Sequence, residues 1–116
     1  MFLNKKVFII TGASSGIGEE LSKQLSGAGS LVVCAARRLD ELERVCGVIN
    51  NAGGKSIPIQ TDITVLAQCQ NMVDQTIKTF GRVDGLILNA GISMWARFDE
   101  ISDIGFFKDL LNVNYL

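Results

Sequence analysis

Between residues 11 and 18 the chain reads Thr11-Gly12-Ala13-Ser14-Ser15-Gly16-Ile17-Gly18, with its glycines spaced G-x-x-x-G-x-G. The stretch follows a short apolar run, Val7-Phe8-Ile9-Ile10, and opens a segment of helical periodicity. Glycine at such a junction lets the backbone turn sharply and leaves room for a phosphate against the main chain. The unpaired N–H groups and the dipole of a helix start favour a diphosphate there, and the last glycine allows close helix–strand packing. The spacing is not G-x-G-x-x-G, and no Gly-Lys-Ser/Thr follows, as a P-loop requires. A tight turn with no ligand would use the same residues, so the anion-binding reading leans on the strand before it and the helix after it.

Those flanking elements follow from periodicity. Val7 to Ile10 and Leu31 to Ala36 are continuous apolar runs, the pattern of strands buried on both faces. From Gly16 to Ala28, Ile17, Leu21, Leu25 and Ala28 fall at helical spacing, and Gly27 and Gly29 end the helix. A second helix is predicted over 39–51, with Leu42, Val45, Cys46 and Ile49 inward. Ser56 to Gln60 reads as a third strand, which Pro58 places at an edge. Thr64 is a candidate cap for a third helix carrying Leu66, Cys69, Met72, Val73, Ile77 and Phe80, closed by Gly81. Val83 to Leu88 is a fourth strand, and a last helix starts near Ser102. The alternation implies an α/β fold with a parallel sheet, right-handed crossovers and helices on both faces.

These motifs and their order resemble the short-chain dehydrogenase/reductase family over essentially the whole chain. Its fingerprint T-G-x-x-x-G-x-G is met by Thr11, Gly12, Gly16 and Gly18, with Ser14, Ser15 and Ile17 inside it. Asn89-Ala90-Gly91 matches the family's N-A-G, although Leu88 stands where many members carry another asparagine. Asp62-Ile63 matches the family's aspartate after strand three, which contacts the adenine ring, and Asn114 the asparagine of the following helix. The resemblance implies a Rossmann-like doubly wound sheet in the order 3-2-1-4 and binding of a nicotinamide dinucleotide by Gly12, Ser14, Ser15, Gly16, Ile17, Gly18, Asp62, Ile63, Asn89, Ala90 and Gly91. It also implies a catalytic part for Asn114, in a water-linked proton relay. Each match has a plainer alternative: a helix-capping turn at Asp62, a sheet-stabilising or turn role for Asn89, a satisfied core amide at Asn114.

The residues at the end of the second strand bear on which dinucleotide. An NAD site of this topology carries a carboxylate there for the ribose hydroxyls. Here Ala36 is followed by Arg37 and Arg38. Guanidinium groups can bind a 2′-phosphate through paired, charge-assisted hydrogen bonds. Two cations at a helix start are unfavourable alone, and a bound anion would relieve them. NADP(H) is therefore expected ahead of NAD(H). The missing acid also counts against an S-adenosylmethionine-dependent methyltransferase.

In the family a serine and a Tyr-x-x-x-Lys perform alcohol/carbonyl interconversion by hydride transfer. This chain has one tyrosine, Tyr115, followed by Leu116. The expectation is an N-terminal, cofactor-binding portion of such an oxidoreductase, inactive by itself; the alternative is a non-catalytic isoform acting as a dinucleotide-binding or subunit-interaction module. The resemblance further implies homo-oligomers through the last helix, with Phe106, Phe107, Leu110 and Leu111 at the contact.

Composition narrows the rest. The 116 residues are 47% apolar and 20% charged, with 11 basic against 12 acidic residues. One domain with a packed core fits, and nucleic acid is not an expected partner. No histidine is present, which removes Ser-His-Asp chemistry and imidazole-bound zinc. Cys34, Cys46 and Cys69 form no C-x-x-C and fall on core positions, so no metal site or disulfide framework is expected. No run reaches the roughly 20 apolar residues of a membrane span, and no signal peptide is recognisable, so a cytoplasmic location is expected.

Overall fold

The structure is a computed structural model, and it describes residues 4–14 and 16–88. The elements run β1 (Val7–Thr11), α1 (Gly16–Gly27), β2 (Leu31–Ala36), α2 (Leu39–Asn51), β3 (Lys55–Gln60), α3 (Leu66–Phe80) and β4 (Gly85–Ile87). The strands form one parallel sheet in the order β3-β2-β1-β4, with Ile9 opposite both Val33 and Leu86. This is the Rossmann-like order that the family resemblance implies. The last helix expected from Ser102, and the contact residues Phe106, Phe107, Leu110 and Leu111, lie outside the described residues.

Side chains alternate across each strand, so two cores form, one on each face of the sheet. On one face Ile10, Val32 and Cys34 meet Leu42, Val45, Cys46 and Ile49 of α2. On the other Ile9, Val33, Ala35 and Leu86 meet Cys69, Met72 and Val73 of α3. All three cysteines are thiols buried in these cores, as their positions in the sequence indicate. Hydrogen bonding with the neighbouring Cys46 thiol, and burial, push the Cys34 thiol up.

α1 departs from its hydrophobic pattern. Its buried residues are Gly18, Ser22 and Ser26, while Leu21 and Leu25 are half-buried and Ile17 is 76% exposed. Small residues at i, i+4 and i+8 let the helix backbone lie close to the sheet; Ser22 satisfies its buried hydroxyl by donating to the Gly18 carbonyl at 2.7 Å. In α3, Thr76 takes the inward position expected of Ile77 and donates to the Met72 carbonyl, leaving Ile77 and Leu66 exposed.

The edges also differ from expectation. Thr64 does not cap α3: the cap residue is Val65, with no side-chain bond. Asp62 has captured Thr64 instead, its Oδ1 accepting from the Thr64 N–H at 2.9 Å and from its hydroxyl at 2.6 Å. β4 begins at Gly85 and not at Val83, because Asp84 grips β1 with its side chain as well as its backbone. Its N–H donates to the Val7 carbonyl at 2.8 Å and its Oδ2 accepts from the Val7 N–H at 2.8 Å. Burial pushes the Asp84 carboxyl up, but hydrogen bonds from Arg82 and the Val7 N–H outweigh it and hold the group below the usual carboxylate range. At the opposite edge the Thr61 N–H donates to Ala36 of β2, whereas the Ser56 N–H turns outward to Asn50 Oδ1 at 2.8 Å. Alternation along the strand then places the nitrogen of Pro58 on the outer side as well.

Candidate functional site: the cleft at the carboxyl ends of the strands

β1 delivers the chain to the carboxyl end of the sheet, where it turns into α1. Gly12 has φ +65° and Gly16 φ +54°, the left-handed region that L side chains enter at a cost. A Cβ on Gly16 would meet nothing within 4 Å, so its requirement is conformational and not one of space. Between them the Ala13 N–H donates to the Ala35 carbonyl at 3.2 Å, tying the loop to the end of β2. Thr11 Oγ1 donates to the Ile87 carbonyl, holding β1 to β4 at the same end.

A cleft of about 430 Å³ opens beside this loop, lined by Gly12, Ser14, Ala36, Arg37, Arg38, Thr61, Asp62, Ile63 and Thr64. It gathers three stretches that the sequence singles out separately: the glycine loop, the arginine pair and Asp62-Ile63. Gly16, Ile17 and Gly18 open α1 beside it. Ser15, Asn89, Ala90, Gly91 and Asn114 lie outside the described residues.

The electrostatics of the cleft lean positive. Arg37 and Arg38 are exposed at the tip of β2, and the nearest carboxylate to Arg38 is Asp40, at 3.6 Å with both side chains largely in solvent. Arg37 forms no ion pair among the described residues. Its carbonyl is held by Gln60 Nε2 at 3.0 Å, which fixes the tip of β2 to the tip of β3. On the far wall Asp62 spends one carboxylate oxygen on Thr64, and its N–H donates to Gln68 Oε1 at 2.7 Å. Asp62 thus forms a turn with Thr64 without capping α3. The donors and cations of this cleft fit a phosphorylated nucleotide: an N-terminal helix mouth, main chain bared by glycine, and two guanidinium groups on one wall.

Sequence reasoning misses three residues here. Thr61 and Gln60 carry no motif signal. Arg44 is visible in the sequence only as an i, i+3 partner of Glu41, yet its guanidinium crosses from α2 to α1. It meets Glu19 Oε1 at 2.9 Å and the Ser14 carbonyl at 3.4 Å. No group of histidine, cysteine and acidic side chains suited to a metal occurs among the described residues. None of their helices is long and apolar enough to cross a membrane.

Comparison with known proteins agrees with this geometry. The family model of the short chain dehydrogenases matches residues 6–116. The chain is 37% identical over 111 residues to 11-beta-hydroxysteroid dehydrogenase A of Sesamum indicum, covering 95% of this chain and 32% of that protein. Against 11-beta-hydroxysteroid dehydrogenase 1A of Arabidopsis thaliana the identity is 38%, with the same coverage. The crystal structure of a hydroxysteroid dehydrogenase from Escherichia coli superposes with a TM-score of 0.75 at 36% identity, covering 78% of this chain and 38% of that one. A 3-ketoacyl-(acyl-carrier-protein) reductase from Brucella melitensis, complexed with NADH, superposes with a TM-score of 0.68 at 36% identity, covering 73% and 34%. The chain belongs to the short-chain dehydrogenase family, oxidoreductases that use a nicotinamide dinucleotide. It spans about a third of the length of the curated relatives it matches.

Proposed function

We propose that this chain is the dinucleotide-binding part of an NADP(H)-dependent oxidoreductase that interconverts an alcohol and a ketone or aldehyde. One observation carries the choice of cofactor: the tip of β2 presents Arg37 and Arg38 to the cleft, with no carboxylate at the position that an NAD site gives to the ribose hydroxyls. Gly12, Ser14 and the first turn of α1 would hold the diphosphate, the arginines the 2′-phosphate, and Asp62-Ile63 the adenine. Ser15, Asn89, Ala90, Gly91 and Asn114 complete the proposal on the strength of the family motifs alone. When bound, the dinucleotide supplies or accepts the hydride; the residues described here bind and orient it. The names of the relatives favour a secondary alcohol and its ketone as the substrate pair.

The 116 residues contain one tyrosine and no Tyr-x-x-x-Lys. We therefore propose that they bind nucleotide without reducing a carbonyl by themselves. Self-association through the segment beginning near Ser102 belongs to the same proposal.

The test is a titration of the full chain with NADPH and with NADH, followed by nicotinamide fluorescence and repeated on Arg37→Ala. The expected result is tighter binding of NADPH, with about 1.5–3 kcal/mol lost on substitution, the worth of hydrogen bonds to a charged group. NADH binding should stay unchanged. Equal affinity for the two nucleotides before and after substitution overturns the cofactor assignment.

A further inference from the structure

We propose that Arg44, a residue outside the cleft, is a positioning residue for the diphosphate-binding loop: it holds the Ser14 carbonyl and neutralises Glu19 at the mouth of α1. The inference rests on the nucleotide-binding reading above and adds to it a group that no motif marks.

Glu19 lies in the first turn of α1, where a carboxylate suits the helix dipole but repels an incoming diphosphate. It is not left as a bare charge. Lys23 Nζ stands 2.8 Å from Oε2. Arg44 closes on both carboxylate oxygens, Nη2 to Oε1 at 2.9 Å and Nη1 to Oε2 at 3.3 Å, the fork geometry that gives an arginine–carboxylate pair its orientation. Hydrogen bonds from Arg44 and Lys23 hold the Glu19 carboxyl down at about 2, so it is ionised at neutral pH. Its charge is then balanced by two cations and not by a proton.

The same guanidinium donates from Nη2 to the Ser14 carbonyl at 3.4 Å and from Nε to Glu41 Oε1 at 3.2 Å. Ser14 lines the cleft, and Arg44 belongs to the helix whose start carries Arg38. One side chain thus ties together the glycine loop, the first turn of α1 and the body of α2. Lysine could supply the charge but not the fork. The arrangement sets where the loop sits before any nucleotide arrives.

Two measurements on the full chain test this, comparing the wild type with Arg44→Ala and Arg44→Ala/Glu19→Gln. Amide hydrogen exchange over residues 12–18 in the nucleotide-free protein reads the loop directly and is expected to quicken in both variants. Titration with NADPH is expected to show about fivefold weaker binding in Arg44→Ala, the size of a partly screened charge near a surface. Glu19→Gln should recover most of that loss, because the repelling charge is gone. Adenosine 2′-monophosphate, which carries the 2′-phosphate without the diphosphate, should bind all three proteins alike. Should the alanine variant lose its fold, Arg44→Gln serves with the same expectations. Unchanged exchange and unchanged NADPH affinity in Arg44→Ala overturn the proposal. So does an equal loss for the monophosphate, which marks a merely structural role. A wild type that binds neither nucleotide overturns the functional reading instead, and the exchange contrast then still judges the clamp.

Discussion

At the carboxyl ends of the strands, Arg37 and Arg38 stand where α1 and α2 begin. At the amino ends, Lys5, Lys55 and Arg82 line a groove of about 740 Å³ where α1, α2 and α3 finish. Both ends thus carry cations beside a cleft, but the helices point opposite ways. Helix C-termini present partial negative charge, so lysine and arginine are at home beside them. Gly81, in the left-handed conformation with its N–H on the Ile77 carbonyl, closes α3 there. Arg82 is further matched by Asp84 at 2.6 Å. The amino-end cations are accounted for by the fold itself. Those at the carboxyl end oppose the dipole of α2, and among the described residues only a weak, exposed contact with Asp40 offsets them. A cation placed against the local field is the stronger sign of a ligand, even beside the smaller of the two clefts.

Charge reversal should separate the ends most sharply. Arg37→Glu/Arg38→Glu is expected to weaken NADPH by about a hundredfold or more, the loss of two charge-assisted contacts. Lys5→Glu/Lys55→Glu should change it less than about twofold, the residual effect of a distant, screened charge. A comparable loss from both pairs in the same titration would erase the distinction.

A smaller effect tests two of the left-handed glycines, one at each end. Gly16→Ala and Gly81→Ala should each destabilise the chain by about 1–2 kcal/mol in urea, since both force an L residue to positive φ. Only Gly16→Ala should also weaken nucleotide binding. Should Gly81→Ala weaken it equally, the affinity reports general stability and not the helix mouth.

The smallest effect is in acid. Glu19 is held from the ordinary 4.5 down to about 2, so its ion pairs stabilise the fold fully above pH 4.5. That contribution fades as pH falls from 4.5 towards 2, because the folded state must then take up a proton it resists. The exposed setting keeps the effect below about 1 kcal/mol. Glu19→Gln should therefore show a shallower fall in stability across that window than the wild type, measured by urea midpoints at stepped pH.

The comparison also explains what was legible beforehand. β1 and β2 are continuous apolar runs with a glycine turn between strand and helix, and both lie where that pattern puts them. α1 misled because its stripe towards the sheet is Gly18, Ser22 and Ser26: where backbone approaches backbone, small polar residues replace the apolar ones that periodicity counts. Thr64 looked like a cap because local sequence cannot show that Asp62 will claim it. The glycine loop, the arginines and Asp62-Ile63 could each be read alone, and their meeting in one cleft follows from the strand order. The link from Arg44 to α1 could not be read. Its partner Glu19 lies 25 residues away, and nothing short of α1 and α2 side by side brings them together.

The proline in β3 has one more consequence. Along the outer side of that strand the nitrogen of Ser56 is committed to Asn50, and Pro58 has no hydrogen to offer. An incoming strand would find two of its donor rungs removed. This border of the sheet is thereby blunted against pairing with a further strand.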